Sequence, residues 1–381
     1  MLLSGGQTSL GTIAVAIFFV ISGYLVTQSF VRSSSAWRFV KARTLRIMPG
    51  LLSALVLLGL FVGPLVTTAP LSEYFSSERL YKFLIINGFM LGYYSKLPSV
   101  FADNPYPDTV DLPLWTLPFE AECYAAVFAL GILGLLNRYM TLGLFLCGLV
   151  YLLLDGPYYE EEWQQQNRLV FLGTKFLAGA VIYHWRPRLN GIVALGCAGV
   201  STLALLFGGF WLALPTFFAY VVIYVALGPI RLPNFARYGD LSYGIYIYAW
   251  PVNQLIMMYS LASTWYWLGI IATPITIALA FLSWHLIEKV ALSFKDDMLP
   301  AERWLSAHLD RAIEALRSPV SHMSGYLSVI LQRVMKGADL FTVKNRHLGT
   351  EERWRFSGNR YASLDSESRG RTHLRERLEN E

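Results

Sequence analysis

Long apolar runs alternate with short polar segments over the first three quarters of the chain. A membrane helix needs about 20 mostly apolar residues to cross about 30 Å of hydrocarbon. A shorter aromatic stretch, 81–97, carries Lys82 and Lys96, and we predict that it is interfacial or re-entrant rather than spanning. The pattern predicts an all-α fold, a polytopic transmembrane bundle of about nine spans: 11–31, 48–68, 117–136, 139–155, 169–185, 190–208, 210–228, 241–260 and 266–287.

The composition supports a membrane protein. Only 15% of the 381 residues are charged and 55% are hydrophobic, whereas a soluble domain carries about 25% charged residues. This balance excludes an ordinary soluble globule and a nucleic-acid binder built on a charged face. Cys123, Cys147 and Cys197 all lie in apolar runs without ligand spacing, so they indicate neither a disulfide framework nor a metal site.

Charge is segregated along the chain and predicts three regions. Residues 1–290 hold 16 Lys and Arg and 13 Asp and Glu, while 291–381 hold 15 and 13. We therefore predict a transmembrane domain at 1–290 and an amphipathic helical region at 291–344, with a first helix at 300–317 and a second amphipathic stretch at 319–342. The polar, charge-mixed tail 345–381 is predicted to be disordered.

The distribution of Lys and Arg predicts the orientation, because cytoplasmic loops are enriched in both. The loop 32–47 has five basic residues and no acidic one, so it is placed in the cytoplasm. The acidic loop 69–116 then faces outward, and the C-terminus is cytoplasmic.

This orientation puts Met1 on the outer side of the membrane. The first residues carry no charge and do not form a signal peptide. We expect a further helix to precede residue 1, and the alternative is that the first helix inserts with an external N-terminus.

Four local patterns carry chemical information, and two of them are basic or small-residue patterns near the first spans. One is Phe18-Phe19-Val20-Ile21-Ser22-Gly23-Tyr24-Leu25, and the next is Arg43-Thr44-Leu45-Arg46 before Pro49. Ser22 and Gly23 are small enough for helices to approach closely.

The other two patterns are Leu114-Trp115-Thr116-Leu117-Pro118-Phe119-Glu120 followed by Tyr124, and Tyr238-Gly239-Asp240-Leu241-Ser242-Tyr243-Gly244-Ile245-Tyr246. In this order the four resemble acyltransferase family 3, over about residues 5–290. These are integral membrane O-acyltransferases that modify bacterial surface polysaccharides and related molecules.

The resemblance implies the location and the substrates. It implies a multi-pass protein of the bacterial inner membrane, an acyl-CoA donor, with acetyl-CoA foremost, and a glycan or lipid-linked glycan acceptor. No bound cofactor or metal and no nucleic-acid partner is expected. The family core has ten helices, and its first helix carries an Arg and the histidine taken as general base, so the resemblance places that base before residue 1.

Arg43 and Arg46 are the candidate donor-binding residues. Residues three apart share one face of a helix, and two guanidinium groups on one face can bind phosphates bidentately. They would lie at the cytoplasmic surface, where the phosphates of the acyl-CoA implied by the resemblance are found. The alternative is that both are ordinary positive-inside residues that contact anionic lipid.

Glu120 is the candidate catalytic residue. An ionisable group within a membrane helix is costly and suggests a functional or paired site, and it could act in acid–base chemistry or orient a sugar hydroxyl. The alternative places Glu120 in headgroup water beside Glu122. The motif adds Trp115 and Tyr124 as candidate substrate-binding residues.

The fourth pattern supplies the remaining candidates. Asp240 and Ser242 begin a predicted helix, where the simplest role is an N-cap. Ser242, Tyr243 and Tyr246 are candidate substrate-binding residues. The tyrosines either line a path for the sugar or the pantetheine arm, or pack at the membrane interface.

Two hypotheses for the function remain open. The first is a membrane O-acyltransferase acting on a surface polysaccharide or lipid-linked glycan. The second is a non-catalytic relative that serves as a membrane scaffold or exporter subunit. A transporter is disfavoured because the sequence has no internal repeat of broken helices.

Overall fold

The computed structural model divides the chain into two compact units, Met1–Ile313 and Glu314–Glu381, which are described separately. The residues described in the first unit are 8–155, 165–229, 237, 239–262, 264–297, 299–300, 302–311 and 313. In the second unit they are 314 and the backbones of 340–345, 350–357 and 360–363.

The described part of the first unit is helical. Its helices are α1 (Leu10–Arg32), α2 (Ala36–Val66), α3 (Leu71–Ser76), α4 (Glu78–Gly88), α5 (Leu117–Ile132), α6 (Arg138–Asp155), α7 (Gln165–Trp185), α8 (Gly191–Phe207), α9 (Phe210–Leu227), α10 (Ser242–Met258) and α11 (Trp265–Ser293). Three contain a π-helical turn, at Leu57–Val62 in α2, Leu214–Phe218 in α9 and Trp284–Glu288 in α11.

Each predicted span coincides with one of these helices. Within the described residues, α1, α2, α9 and α11 are long and apolar enough to cross a membrane, and α6 and α8 are shorter apolar helices. The chain is therefore a helical membrane protein, and the number of nine crossings stays a prediction. Helix α4 has 11 residues, which span only about 16 Å at 1.5 Å per residue, so its length favours an interfacial position for the 81–97 stretch.

The sequence predicts a loop at 32–47, but most of this basic segment is helical. Helix α2 begins at Ala36, where the side chain of Ser35 accepts a hydrogen bond from the backbone N–H of Arg38. This cap satisfies a free N–H group at the helix start, so the helix extends through the basic residues. Arg43 and Arg46 consequently lie one turn apart on a regular helix.

Helices α1 and α7 pack closely through a pair of glycines. A Cβ on Gly23 would collide with the backbone carbonyl of Phe176, and one on Gly179 would collide with that of Val20. The predicted close approach at Ser22 and Gly23 is thus confirmed. This contact fixes α1 beside α5 and α7, which carry several of the polar residues described below.

A loop between α4 and α5 is held against α10 by buried amide groups. The Gln254 side chain donates to the carbonyls of Tyr106, at 2.8 Å, and of Thr109, at 2.6 Å. The Asn104 side chain donates to the Gln254 carbonyl at 2.9 Å. Because Gln254 is fully buried, these bonds fix the loop, which leads into a 3₁₀ turn at Pro113–Thr116 and then into α5.

The segment after α11 is helical at 302–311, within the helix predicted for 300–317. It lies against the N-terminal end of α2. Lys41 Nζ lies 2.8 Å from Glu302 Oε2, and the backbone N–H of Ala36 donates to Asp310 Oδ1 at 3.4 Å. These contacts place the segment beside the basic residues of α2.

The second unit contains a three-stranded antiparallel sheet that we did not predict. Its strands are β1 (Leu340–Asn345), β2 (Thr350–Ser357) and β3 (Arg360–Ser363), in the order β1-β2-β3. Strands β2 and β3 lie in the tail predicted to be disordered, and β1 begins at the end of the predicted amphipathic stretch 319–342, whose residues 319–339 lie outside the described ones. The all-α prediction therefore holds for the described part of the first unit alone.

Candidate active site

Arg46 on α2 is neutralised by two carboxylates. Its guanidinium lies 2.6 Å from Asp240 Oδ2 and 3.8 Å from Glu288 Oε2, and its Cζ lies 5.8 Å from the centre of the Trp284 ring. Glu288 is almost fully buried and also accepts a hydrogen bond from Ser283 at 2.9 Å. Arg46 therefore joins α2 to α11 and to the start of α10 through ion pairs.

Arg43, one turn earlier, has no acidic partner among the described residues. Its terminal nitrogen donates to Ser29 Oγ at 3.4 Å, and its Cζ lies 5.9 Å from the centre of the Tyr124 ring. Its Nε is buried and has no hydrogen-bond partner in the described part of the chain. The fold brings Asp240 and Glu288 to Arg46 but no carboxylate among the described residues to Arg43, and donor binding by the two arginines stays a prediction.

Glu120 and Tyr124 form the polar centre of α5. Pro118 stands in the first turn of this helix, where the missing N–H costs no hydrogen bond, and Glu120 follows with only 3% of its surface exposed. The Tyr124 hydroxyl, four residues later, donates to Glu120 Oε1. Arg43 and Arg46 both interact electrostatically with Glu120, so the carboxylate lies inside the bundle and not in headgroup water.

Three hydroxyls of α10, those of Ser242, Tyr243 and Tyr246, are engaged in hydrogen bonds. Tyr243 donates to the Ile47 carbonyl at 2.9 Å, and Tyr246 donates to the Pro113 carbonyl at 2.6 Å and contacts the Thr116 hydroxyl. Ser242 donates through its hydroxyl to Asp240 Oδ1 at 2.6 Å, and its backbone N–H donates to the same oxygen at 3.3 Å.

These contacts give the α10 residues positioning roles. Asp240 accepts a hydrogen bond from the backbone N–H of Ser242, the first residue of α10, and it also binds Arg46. The N-cap position is Leu241, so the predicted N-cap role is wrong for Asp240 and Ser242. Tyr243 ties α10 to α2, and Tyr246 ties α10 to the turn before α5. Tyr238, the first residue of the motif, lies outside the described residues.

Two cavities meet at Arg43. The basic cavity, of about 530 Å³, is lined by Ser29, Arg32, Ser33, Ser34, Arg38, Phe39, Ala42, Arg43, Arg46, Leu292, Lys295 and Asp296. The apolar cavity, of about 400 Å³, is lined by Phe39, Val40, Arg43, Thr44, Ile47, Met48, Met90, Ala121, Tyr124, Ala125 and Phe128. Phe39 and Arg43 line both, so the two cavities are neighbours, one with a cationic lining and one with an apolar lining.

A third cavity, the aromatic cavity, lies beside the first turns of α5. It measures about 280 Å³ and is lined by Met90, Leu91, Gly92, Tyr93, Trp115, Pro118, Phe119, Glu122 and Arg168. Arg168 Cζ lies 5.3 Å from the centre of the Trp115 ring, within the range of a cation–π contact. The sequence analysis missed Arg168, although a charged residue at the start of a predicted span is the signal that would have found it.

Asp111, in the loop between α4 and α5, is a buried carboxylate that the sequence analysis also missed. It is fully buried, and neither of its oxygens has a hydrogen-bond partner among the described residues. Burial raises the pKa of the Asp111 carboxyl well above its usual range. Tyr93 and Tyr246 both interact with it electrostatically.

The arrangement defines a class of protein: a helical membrane protein with a buried carboxylate–tyrosine pair between a cationic cavity and an aromatic one. The described residues contain no cluster of three His, Cys, Asp or Glu side chains that could hold a metal ion. The carboxylate of Glu120, the hydroxyl of Tyr124 and the guanidinium of Arg43 are groups that can act in acid–base and electrostatic roles.

Comparison with known proteins identifies the family. A family model for an acyltransferase domain, Acyl_transf_3, matches residues 2–285. The O-acetyl transferase of Shigella phage Sf6 is 30% identical over 299 residues, which cover 74% of this chain and 86% of that protein. Nodulation protein 10 of Rhizobium leguminosarum bv. viciae is 30% identical over 327 residues, which cover 75% of this chain and 83% of the relative. No solved structure matches the chain significantly.

The chain thus belongs to acyltransferase family 3, as the four motifs predict. The family and the first relative identify it as an O-acyltransferase with membrane-spanning helices.

Proposed function

We propose that this protein is an O-acyltransferase of the bacterial inner membrane. It moves an acyl group, acetyl in the first instance, from acyl-CoA to a hydroxyl of a surface polysaccharide or a lipid-linked glycan. The donor binds from the cytoplasm, and the C-terminus lies on the same side. The similarity to a phage O-acetyl transferase supports acetyl as the group transferred.

One observation carries the proposal: Arg43 lines both the basic and the apolar cavity and lies against the ring of Tyr124, whose hydroxyl binds Glu120. Acyl-CoA has phosphates at one end and a thioester at the other, joined by a largely uncharged pantetheine arm. Phosphates favour the guanidinium groups of the basic cavity, and the arm then passes Phe39 and Arg43 toward Tyr124. In this proposal the thioester lies next to the buried carboxylate.

The acceptor approaches Glu120 from the aromatic cavity, which lies beside the first turns of α5. The aromatic cavity offers the ring of Trp115 together with Arg168 and Glu122, a combination of one flat apolar surface and polar groups that suits a sugar ring. In this proposal Trp115 packs against the sugar, and Tyr246 holds the 3₁₀ turn that carries Trp115 in position. Ser242 and Tyr243 act indirectly, by fixing Asp240 and α2.

The transfer step follows from these positions. In this proposal Glu120, rather than the histidine that the resemblance implies, accepts a hydrogen bond from the acceptor hydroxyl and takes its proton as the oxygen attacks the thioester carbon. A carbon–oxygen bond forms, the carbon–sulfur bond breaks, and the proton passes to the departing CoA thiolate. Tyr124 keeps Glu120 oriented through its hydrogen bond to Oε1, and the Arg43 guanidinium favours the negative charge of the attacked group.

The test uses membranes from cells that lack other acyltransferases of this family and express this chain. Radioactive acetyl-CoA should label the glycan fraction, whereas radioactive acetate should not. Membranes with equal amounts of the Glu120→Gln variant give the background. If no acyl-CoA gives label, while a related enzyme works in the same membranes, the scaffold hypothesis replaces the enzyme.

Cysteine labelling tests the orientation. Cys123, Cys147 and Cys197 are free thiols, so they are first replaced by alanine. A cysteine at Asp103 should react with an impermeant maleimide added to whole cells, and one at Arg188 should react only after the membrane is opened. The reverse pattern would invert the proposed topology and separate the basic cavity from cytoplasmic acyl-CoA.

A further inference from the structure

The basic cavity holds more positive charge than its protein contacts neutralise. It is lined by five cations, Arg32, Arg38, Arg43, Arg46 and Lys295, and by one acid, Asp296. In the part of the chain that the structure describes, Arg46 alone among the five forms an ion pair. A cavity with this excess of charge favours a ligand with several negative charges.

The unpaired cations face the cavity, whereas neighbouring Lys41 does not line it. Lys41 lies on the same helix between Arg38 and Arg43, and it is paired with Glu302 at 2.8 Å. Arg38 contacts the Ser34 hydroxyl at 3.1 Å and no carboxylate among the described residues. Among the described residues the fold thus pairs Lys41 outside the cavity and Arg46 at its edge with carboxylates, and it leaves Arg32, Arg38, Arg43 and Lys295 in the lining without an ion pair.

The cations that line the basic cavity differ in their exposure to solvent. Arg43 is partly buried and lies at the junction with the apolar cavity, while Arg32, Arg38 and Lys295 are exposed. CoA is linear, with the thioester, the pantetheine arm, the diphosphate and the adenosine 3′-phosphate in that order. When the arm enters the apolar cavity past Arg43, the diphosphate lies near Arg43 and the 3′-phosphate lies at the open end.

We propose that Arg32, Arg38 and Lys295 form a subsite that recognises the 3′-phosphate of CoA and distinguishes it from 3′-dephospho-CoA. The inference rests on the proposed function, because it takes CoA as the donor. Three cations around a phosphate monoester provide charge-assisted hydrogen bonds, which are about twice as strong as neutral ones. The subsite gives donor specificity and takes no part in the chemical step.

The test is a binding measurement, which does not depend on turnover. The full chain is held in phosphatidylcholine nanodiscs, and the dissociation constants of CoA and 3′-dephospho-CoA are measured by calorimetry. We expect CoA to bind the wild type at least about tenfold more tightly, the ratio that corresponds to 1.4 kcal/mol. In Arg38→Ala and Lys295→Ala this preference should fall below about threefold, and Arg38→Lys should retain more of it than Arg38→Ala.

Lys41→Ala is the matched control, since it removes a cation from the same helix but outside the cavity, and it should keep the wild-type preference. If CoA does not bind the wild type at all, the proposed function fails. If CoA and 3′-dephospho-CoA bind equally, or if Lys41→Ala lowers the preference as much as Arg38→Ala, only the subsite is overturned.

Anionic lipid is the other source of phosphate at a membrane surface. The measurement is therefore repeated in nanodiscs that contain phosphatidylglycerol. A preference for CoA that persists supports the nucleotide as the ligand. A preference that disappears in these nanodiscs would assign the three cations to lipid headgroups and overturn the proposal.

Discussion

Two arginines one turn apart on α2 lie in regions of opposite character. Arg46 contacts Asp240 and the buried Glu288, and it connects three helical segments. Arg43 contacts a hydroxyl and a tyrosine ring, borders two cavities and has no acidic partner among the described residues. An arginine neutralised by carboxylates stabilises the fold, whereas one whose charge is left available can bind a substrate. We therefore propose a structural role for the region of Arg46 and a catalytic role for the region of Arg43, Tyr124 and Glu120.

The largest expected effect is on Glu120, which belongs to the Arg43 region. Glu120→Gln keeps the size of the side chain but cannot accept the hydroxyl proton, so the rate of acetyl transfer should fall by about 10²- to 10⁴-fold. The rate is measured with radioactive acetyl-CoA at saturating donor. Glu78→Gln, in an exposed ion pair with Lys82, should leave the rate unchanged, and a similar loss in both variants would remove the catalytic assignment.

The next effect separates the two arginines directly. Arg43→Ala should raise the KM for acetyl-CoA by about 10- to 100-fold, because hydrogen bonds to a charged group contribute about 1.5–3 kcal/mol. Its thermal stability in detergent should stay close to that of the wild type. If Arg43→Ala unfolds the protein instead, the contrast between the two regions is wrong.

The third prediction concerns stability. Arg46→Ala leaves Glu288 buried without its cation, and breaking a buried ion pair is strongly destabilising. Since Arg46 is 22% exposed, we expect a loss of about 2 kcal/mol, less than for a fully buried pair. The double variant Arg46→Ala with Glu288→Gln should recover part of this stability. The free energy of unfolding is measured by denaturant titration in detergent, and a loss that the second change does not reduce would exclude the pairing.

The smallest expected effect concerns Asp111, which has no hydrogen-bond partner among the described residues, unlike the ion-paired Glu288. Burial raises the pKa of Asp111, so the folded protein holds a proton that the unfolded chain releases near its ordinary pKa of about 4. Stability is therefore greatest below that pH and falls as the pH rises toward the raised pKa. Asp111→Asn cannot ionise, and its Tm should exceed that of the wild type more at pH 8 than at pH 5. Equal differences at both pH values would show that Asp111 stays charged.

Much of the helical fold could be predicted from the sequence. Apolar runs of membrane length predict the helices, since the hydrocarbon thickness fixes the number of residues needed. The cap at Ser35 was available in the sequence, yet the charges after it led us to interpret 32–47 as a loop. A high density of charge therefore does not by itself indicate a loop. The strands at 340–345, 350–357 and 360–363 show in the same way that a polar, charge-mixed composition does not exclude regular secondary structure.

The residues of the candidate site come from the motifs, and their roles stay predictions. The motifs point to Arg43, Arg46, Glu120 and Tyr124, and a spacing of four between Glu120 and Tyr124 predicts that the two side chains meet on one helix face. The spacing of the two arginines does not indicate that Arg46 forms ion pairs with two carboxylates while Arg43 forms none among the described residues. Asp240 is 194 residues from Arg46 along the chain, and no local pattern encodes a contact at that separation.

The sequence by itself determined the class of protein, the positions of the helices and the family, because hydrophobicity and short motifs are local properties. Tertiary structure decided which charges are neutralised and which remain available. The electrostatics of Arg43 and Arg46 depend on residues brought from α5, α10 and α11, and the two cavities at Arg43 exist only once these helices pack. The physical reason is that burial and pairing of a charge are set by neighbours in space, which the order of residues along the chain does not specify.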